Sequence, residues 1–150
     1  MNVPRKPKPR RNETQELTRP IEAALNKLPG VRVRRNNTGV LEDKRGVPVR
    51  YGLGVGSADL VGICEVQSVS VPASLEALGR VANGQVGALY PTRILGRAFC
   101  LEVKRPGEKP TADQVRWLES VRRLGGFAAI VHSVEEALAC VERCRAGQSQ

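Results

Sequence analysis

The 150-residue sequence predicts a mixed α/β domain in which a mixed central sheet is flanked by helices. Three observations predict it. Apolar residues at spacings of three and four follow a proline-rich, basic N-terminal stretch; short alternating or apolar runs bounded by glycine, proline and asparagine come next; and the last third alternates strand-like with helix-like segments, each helix introduced by a capping residue. A chain of this length buries one core. The expected organisation is therefore a disordered basic tail over residues 1–11 and a single domain over 12–150 carrying an insertion at about 64–98. No internal repeat breaks the pattern.

Leu17, Ile21, Ala24, Leu25 and Leu28 predict an amphipathic helix from about Asn12 to Leu28, with Asn12 and Gln15 in capping-box spacing at its start. Pro20 either kinks this helix or marks the first turn of a shorter one, and Pro29-Gly30 stops it. Val31-Arg32-Val33-Arg34 alternates apolar with basic, a half-exposed strand with its arginines outward. Asn36 to Gly39 reads as a turn and Val47 to Tyr51 as a second strand. Gly52, Gly54 and Gly56 make the approach to Asp59 flexible, and Ala58 to Ile63 reads as a short buried strand. Cys64 to Arg97 reads as an inserted loop or flap, with helical character over Ala73 to Val81. Phe99 to Val103 is a strand, and Thr111 to Leu124 is a helix whose Thr111 and Gln114 form a capping box behind Pro110. Ala128 to Val131 is a strand, and Ser133 caps a final helix to about Cys144.

Composition narrows the function. With aromatic residues at 3%, the chain lacks the rings that a base-stacking platform for single strands needs. Lys and Arg number 24 against 15 Asp and Glu, so the net charge of +9 points to a polyanionic partner. Arg5, Lys6, Lys8, Arg10 and Arg11 alternate with prolines in the tail; without those five cations the body still carries +4. No apolar run is long enough to span a membrane and the N-terminus has no secretory core, so the expected location is cytoplasmic. Cys64, Cys100, Cys140 and Cys144 have no zinc-site spacing, and His132 is the sole histidine; Cys140 and Cys144, one helical turn apart on the last helix, read as buried free thiols.

The chemistry concentrates in Phe99-Cys100-Leu101-Glu102-Val103-Lys104. Side chains alternate across a strand, so Phe99, Leu101 and Val103 share one face while Glu102 and Lys104 project from the other. An isolated Glu-x-Lys is usually an ordinary ion pair. A second acid, Asp59, stands at the mouth of the apolar strand after Gly56-Ser57-Ala58, where most aspartates simply cap a turn. Together, Asp59 and Glu102 supply hard oxygen ligands of the kind Mg²⁺ prefers, and Lys104 offers an ammonium to the charge that grows on a phosphodiester. Gln114 shares a helical face with Trp117, Leu118 and Val121. Its amide either completes the capping box with Thr111 or orients water, lysine or phosphate, two roles that compete for one side chain. His132 follows an apolar strand with no acid or nucleophile beside it, which favours a structural role.

The ordered set Gly56-x-x-Asp59, Glu102-x-Lys104, and Gln114 followed by Trp117-Leu118 and Gly125-Gly126, with Arg35-Asn36-Asn37-x-Gly39 after the first helix, resembles the VRR-NUC branch of the PD-(D/E)XK nuclease superfamily. The resemblance runs from about Asn12 to Glu142 and is interrupted between Ile63 and Phe99. It implies a restriction-endonuclease-like core and a DNA nuclease dependent on Mg²⁺ or Mn²⁺. Asp59 and Glu102 then bind the ion, Lys104 assists the nucleophile, and a glutamate of the first helix lies near the metal. Glu13 is favoured for that place because it stands about 40° from Leu17 on a helical wheel, whereas Glu16, the alternative, stands about 100° away. Stand-alone members of the family act as dimers on branched DNA such as four-way junctions. The expected activity is accordingly structure-selective cleavage of branched DNA, in the manner of a Holliday-junction resolvase, by a homodimer. Arg32, Arg34, Arg35 and Asn37 join the tail cations Arg5, Lys6, Lys8, Arg10 and Arg11 as candidate DNA contacts, and the Cys64 to Arg97 segment is the candidate dimer interface or flap. The alternative is a basic DNA-binding module without catalysis, which has no need of two acids where phosphates approach.

Overall fold

The computed structural model describes residues 13–67 and 94–148. The chain forms α1 (Glu13–Leu25), β1 (Val31–Arg35), β2 (Gly39–Glu42), β3 (Pro48–Tyr51), β4 (Leu60–Gln67), β5 (Ile94–Val103), α2 (Ala112–Arg123), β6 (Phe127–Val131) and α3 (Val134–Arg145). Four strands make a mixed sheet in the order β1-β4-β5-β6, antiparallel except for the β5–β6 pair, while β2 and β3 form a separate antiparallel ribbon. The mixed α/β class read from the sequence is the observed one.

Alternation within the strands divides the core into two layers. Val31, Val33, Phe99, Leu101, Val103, Phe127, Ala129 and Val131 point to one face, where Ile21 and Leu25 of α1 and Ala137, Val141 and Cys144 of α3 close over them. Cys100 and Ala128 point to the other face, against Leu118 of α2 with Trp117 and Val121 around it. Both later helices start as their sequences predict: Thr111 and Gln114 make a reciprocal capping box for α2, and the Ser133 side chain accepts from the Glu136 N–H at the head of α3.

α1 runs through Pro20, which sits on its exposed side, and ends at Leu25 rather than Leu28. Asn26 accounts for the earlier stop. Its amide donates to the Val33 carbonyl (3.0 Å) and accepts from the Val33 N–H (3.1 Å), tying the end of the helix to the open edge of β1. The Asn12 cap, the tail cations and the helical stretch expected over Ala73 to Val81 all lie outside the described residues.

Two expectations are corrected. Gly39 does not merely end a turn; it begins β2, which pairs with β3 from Gly39↔Tyr51 to Glu42↔Pro48. β2 is exposed beyond its half-buried Gly39, so it carries none of the in–out alternation by which a strand is recognised; β3, its partner, is the strand read at Val47 to Tyr51. The ribbon's turn is tied by Asp43, whose carboxylate accepts from the N–H groups of Val47 and Arg45, bonds that hold it below its ordinary pKa. The second correction concerns residues 64–67 and 94–98, expected in an irregular insertion: they form the far ends of β4 and β5, paired out to Gln67↔Ile94. Cys64 and Val66 continue the inward face there, and polar Glu65 and Arg97 masked the strand pattern.

Cys140 and Cys144 are buried free thiols, as expected, and so are Cys64 and Cys100; Cys64 and Cys144 meet across the helix–sheet layer with their sulfurs 3.1 Å apart. No described helix is long and apolar enough to cross a membrane.

The four-stranded sheet is tightly packed at Gly62, where an added Cβ would stand 2.4 Å from the Phe99 ring and 2.6 Å from the Arg32 carbonyl oxygen. Gly62→Ala is expected to cost about 1–3 kcal/mol, since the backbone of β1 cannot yield as a flexible side chain would. Urea unfolding measures it, and a loss below about 0.5 kcal/mol would contradict this packing.

Candidate active site

The β4–β5 register builds the site. Leu60 pairs with Leu101, so Asp59, one residue before β4, stands across from Glu102. The Val103 N–H on that side of β5 has passed the end of the β4 ladder, and the Asp59 carboxylate accepts from it instead (Oδ2, 3.0 Å). Because Leu101 and Val103 face α1 and α3, Glu102 must face α2.

Glu102 is 1% exposed. Its Oε1 meets the Lys104 ammonium at 2.8 Å and accepts a hydrogen bond from the Gln114 side-chain amide. Its Oε2 is buried with no hydrogen-bond partner among the described residues. Asp59 lies beside it, but a carboxylate is an acceptor and brings no donor. Burial, chiefly, and the neighbouring Asp59 raise the Glu102 carboxyl from 4.5 to about 7 against the opposing pull of Lys104. Two neighbouring carboxylates, one with a buried oxygen that no donor reaches, are satisfied once a proton or a cation enters. The donors are hard oxygens, so the residues fit a divalent ion such as Mg²⁺ or Mn²⁺. Among the described residues no group of three or more His, Cys, Asp and Glu side chains is gathered to hold a metal; the site offers two.

Gln114 resolves the competition expected for it. Its Oε1 accepts from the Thr111 N–H (2.8 Å), which completes the helix cap, while its Nε2 donates to Glu102. The Thr111 N–H can only donate, which orients the amide oxygen toward the cap and leaves the NH₂ for the carboxylate. One side chain thus fastens the start of α2 to the buried acid. The His132 Nδ1 lies 3.1 Å from the Lys104 carbonyl, and the Lys104 N–H donates to the Val131 carbonyl (3.0 Å), so the end of β6 holds the lysine backbone from both sides.

The remaining expected residues are placed as follows. Arg32 and Arg34 are exposed and pair with Ile63 and Val61, on the sheet face that also carries Glu102. α2 packs over β5 and β6, and among the described residues no helix covers the β1 side of that face, where Ile63 is half exposed. The Arg34 guanidinium also reaches Glu22 (3.7 Å), Arg35 is half-buried at the end of β1, and Asn37 is exposed in the loop beyond it. Glu13 opens α1, with its side chain outside the described residues, and Glu16 is exposed. The tail cations lie outside the described residues. Sequence reasoning missed the Val103 N–H and the side chain of Asn36, which was noticed only within Arg35-Asn36-Asn37. The signal for Asn36 was present: an asparagine directly after an outer strand, facing a loop of glycines with few other groups to hold it.

Comparison with known proteins finds no family model, no curated protein and no solved structure that matches this chain.

The raised Glu102 carboxyl makes stability depend on pH with a definite sign. Between 4.5 and about 7 the folded protein holds a proton that the unfolded chain has released, so stability falls as pH rises through that window, by roughly 3 kcal/mol in all. In a chelator, Glu102→Gln is expected to be more stable than the parent at pH 8, with the advantage shrinking toward pH 5. Denaturant unfolding at the two pH values checks this; a difference independent of pH would contradict it.

Proposed function

We propose that the protein is a divalent-metal-dependent endodeoxyribonuclease of the VRR-NUC branch, its mixed sheet serving as a PD-(D/E)XK core, and that it cuts branched duplex DNA as a homodimer. The observation that carries this reading is the buried, donorless Oε2 of Glu102 beside Asp59, with the Lys104 ammonium 2.8 Å from the other oxygen. A structural ion pair has no use for a second acid, whose repulsion adds to the cost of burying Glu102.

Asp59 and Glu102 would hold Mg²⁺ or Mn²⁺, which when bound supplies charge for the phosphodiester oxygens and acidifies water at neutral pH. The chain's own residues do the rest. Lys104, held by β6 at its backbone and only 15% exposed at its side chain, keeps an ammonium fixed where negative charge grows in the transition state. Gln114 holds Oε1 of Glu102 and leaves Oε2 free. Arg32 and Arg34, on the open part of the same sheet face, offer cations to the phosphate backbone, and the basic tail adds a sequence-independent attraction. The net charge of +9 accords with a DNA partner, and the reading places the protein in a DNA-containing, intracellular compartment.

Labelled linear, flapped and four-way DNA, incubated with Mg²⁺, Mn²⁺ or EDTA, tests the proposal. Metal-dependent cleavage is expected, strongest on branched substrates. Asp59→Asn and Glu102→Gln should each lower cleavage at least a thousandfold while binding DNA in EDTA as well as or better than the parent, because each removes a charge that repels phosphate. Lys104→Ala should lose most cleavage and keep its affinity for the ion. DNA binding without cleavage under every metal condition would favour the non-catalytic module instead. Sedimentation on a four-way junction tests the dimer: a monomer, free and bound, would redirect the reading to flaps or nicks.

A further inference from the structure

The segment that delivers Asp59 is built to be loose. Gly52, Gly54 and Gly56 all adopt left-handed conformations (φ 81°, 100° and 82°), and glycine costs the most entropy to fix. One side chain ties this segment at both ends. The Asn36 Oδ1 accepts from the Leu53 N–H (3.3 Å), and its Nδ2 donates to the Ser57 hydroxyl (2.7 Å) and the Ala58 carbonyl (3.0 Å). Ser57 in turn closes the loop on itself by donating to the Gly54 carbonyl (2.6 Å). The Asn36 backbone N–H donates to the Asp59 carbonyl (2.8 Å), so the same residue grips the acid's own main chain. On the opposite side the loop lies against α2: a Cβ at Gly56 would stand 2.5 Å from that of Asp113, whose neighbour Gln114 holds Glu102.

We propose that Asn36 is the positioning residue for Asp59, converting a glycine-rich loop into a fixed arm that holds the Asp59 carboxylate opposite Glu102. The proposal deepens the metal-site reading and rests on it for its consequence, while its structural half stands on the hydrogen bonds alone. An asparagine serves because the task needs an acceptor for Leu53 and donors for Ser57 and Ala58 on one short, planar group. Aspartate has the same shape and keeps the acceptor, but it cannot donate to the Ala58 carbonyl and turns that contact repulsive.

Asn36→Asp in the full chain is the test, with amide hydrogen exchange in EDTA and Mn²⁺ titration as readouts. The Val103 N–H, whose acceptor is the Asp59 carboxylate, is expected to exchange at least tenfold faster, while amides in the middle of β6 such as Ala129 keep their protection. The Mn²⁺ concentration for half-saturation should rise at least tenfold. Ser57→Ala, which removes one of the three Asn36 side-chain bonds together with the Ser57–Gly54 bond, should move both readouts the same way by about threefold and covers the case in which the aspartate variant does not fold. Unchanged Val103 exchange in a folded variant overturns the proposal, and so does equal acceleration throughout β5 and β6, which would mark a merely structural role. If the parent protein binds no Mn²⁺, the metal-site reading fails, and the Val103 exchange still decides whether Asn36 holds Asp59.

Discussion

A carboxylate on a central strand, facing into packed structure, is the constraint around which this molecule is arranged. Leu101 and Val103 must point toward α1 and α3, so the pleat sends Glu102 to the α2 face, where it is almost wholly removed from water. Such burial is strongly unfavourable unless the charge is paired and hydrogen-bonded. Lys104 and Gln114 satisfy one oxygen, and nothing described satisfies the other. Asp59 then makes matters worse, because the register of β4 brings a second acceptor alongside.

Much of the surrounding structure can be understood as holding this unfavourable arrangement in place. Gln114 belongs at once to the α2 cap and to the site, so the helix cannot begin elsewhere without releasing Glu102. Lys104 is fixed through its backbone by Val131 and His132 at the end of β6. The Asp59 side chain replaces a missing strand partner for Val103, which couples the acid's position to the sheet itself. Sites that sacrifice stability for a poised charge are the places where removing the charge strengthens the fold and weakens the function.

The parts legible in the sequence are those governed by short-range rules. Alternation in Phe99 to Lys104 separated the core face from the Glu102–Lys104 face, and the Thr111–Gln114 and Ser133 caps set the starts of α2 and α3. Other features depend on contacts that a linear pattern does not carry. Gln114 looked like a side chain with two rival roles because sequence spacing cannot show that its two amide ends face opposite partners. β2 escaped because an exposed ribbon has no buried face to leave a period. The outer halves of β4 and β5 escaped because Glu65 and Arg97 interrupt the apolar run while Cys64 and Val66 keep the inward face. Asp59 was legible as an acid beside a strand, whereas its partners, Val103 and the Asn36 loop, come from residues far away in the chain.

The central claim is that Asp59 and Glu102 form a site completed by a divalent cation. Isothermal titration of Mn²⁺ into metal-free protein at pH 7.5 tests it without reference to any reaction. The account predicts saturable binding that disappears when both acids are replaced together by their amides, with the doubly substituted protein still folded. Heats of dilution alone, or binding that survives the double replacement, would contradict it.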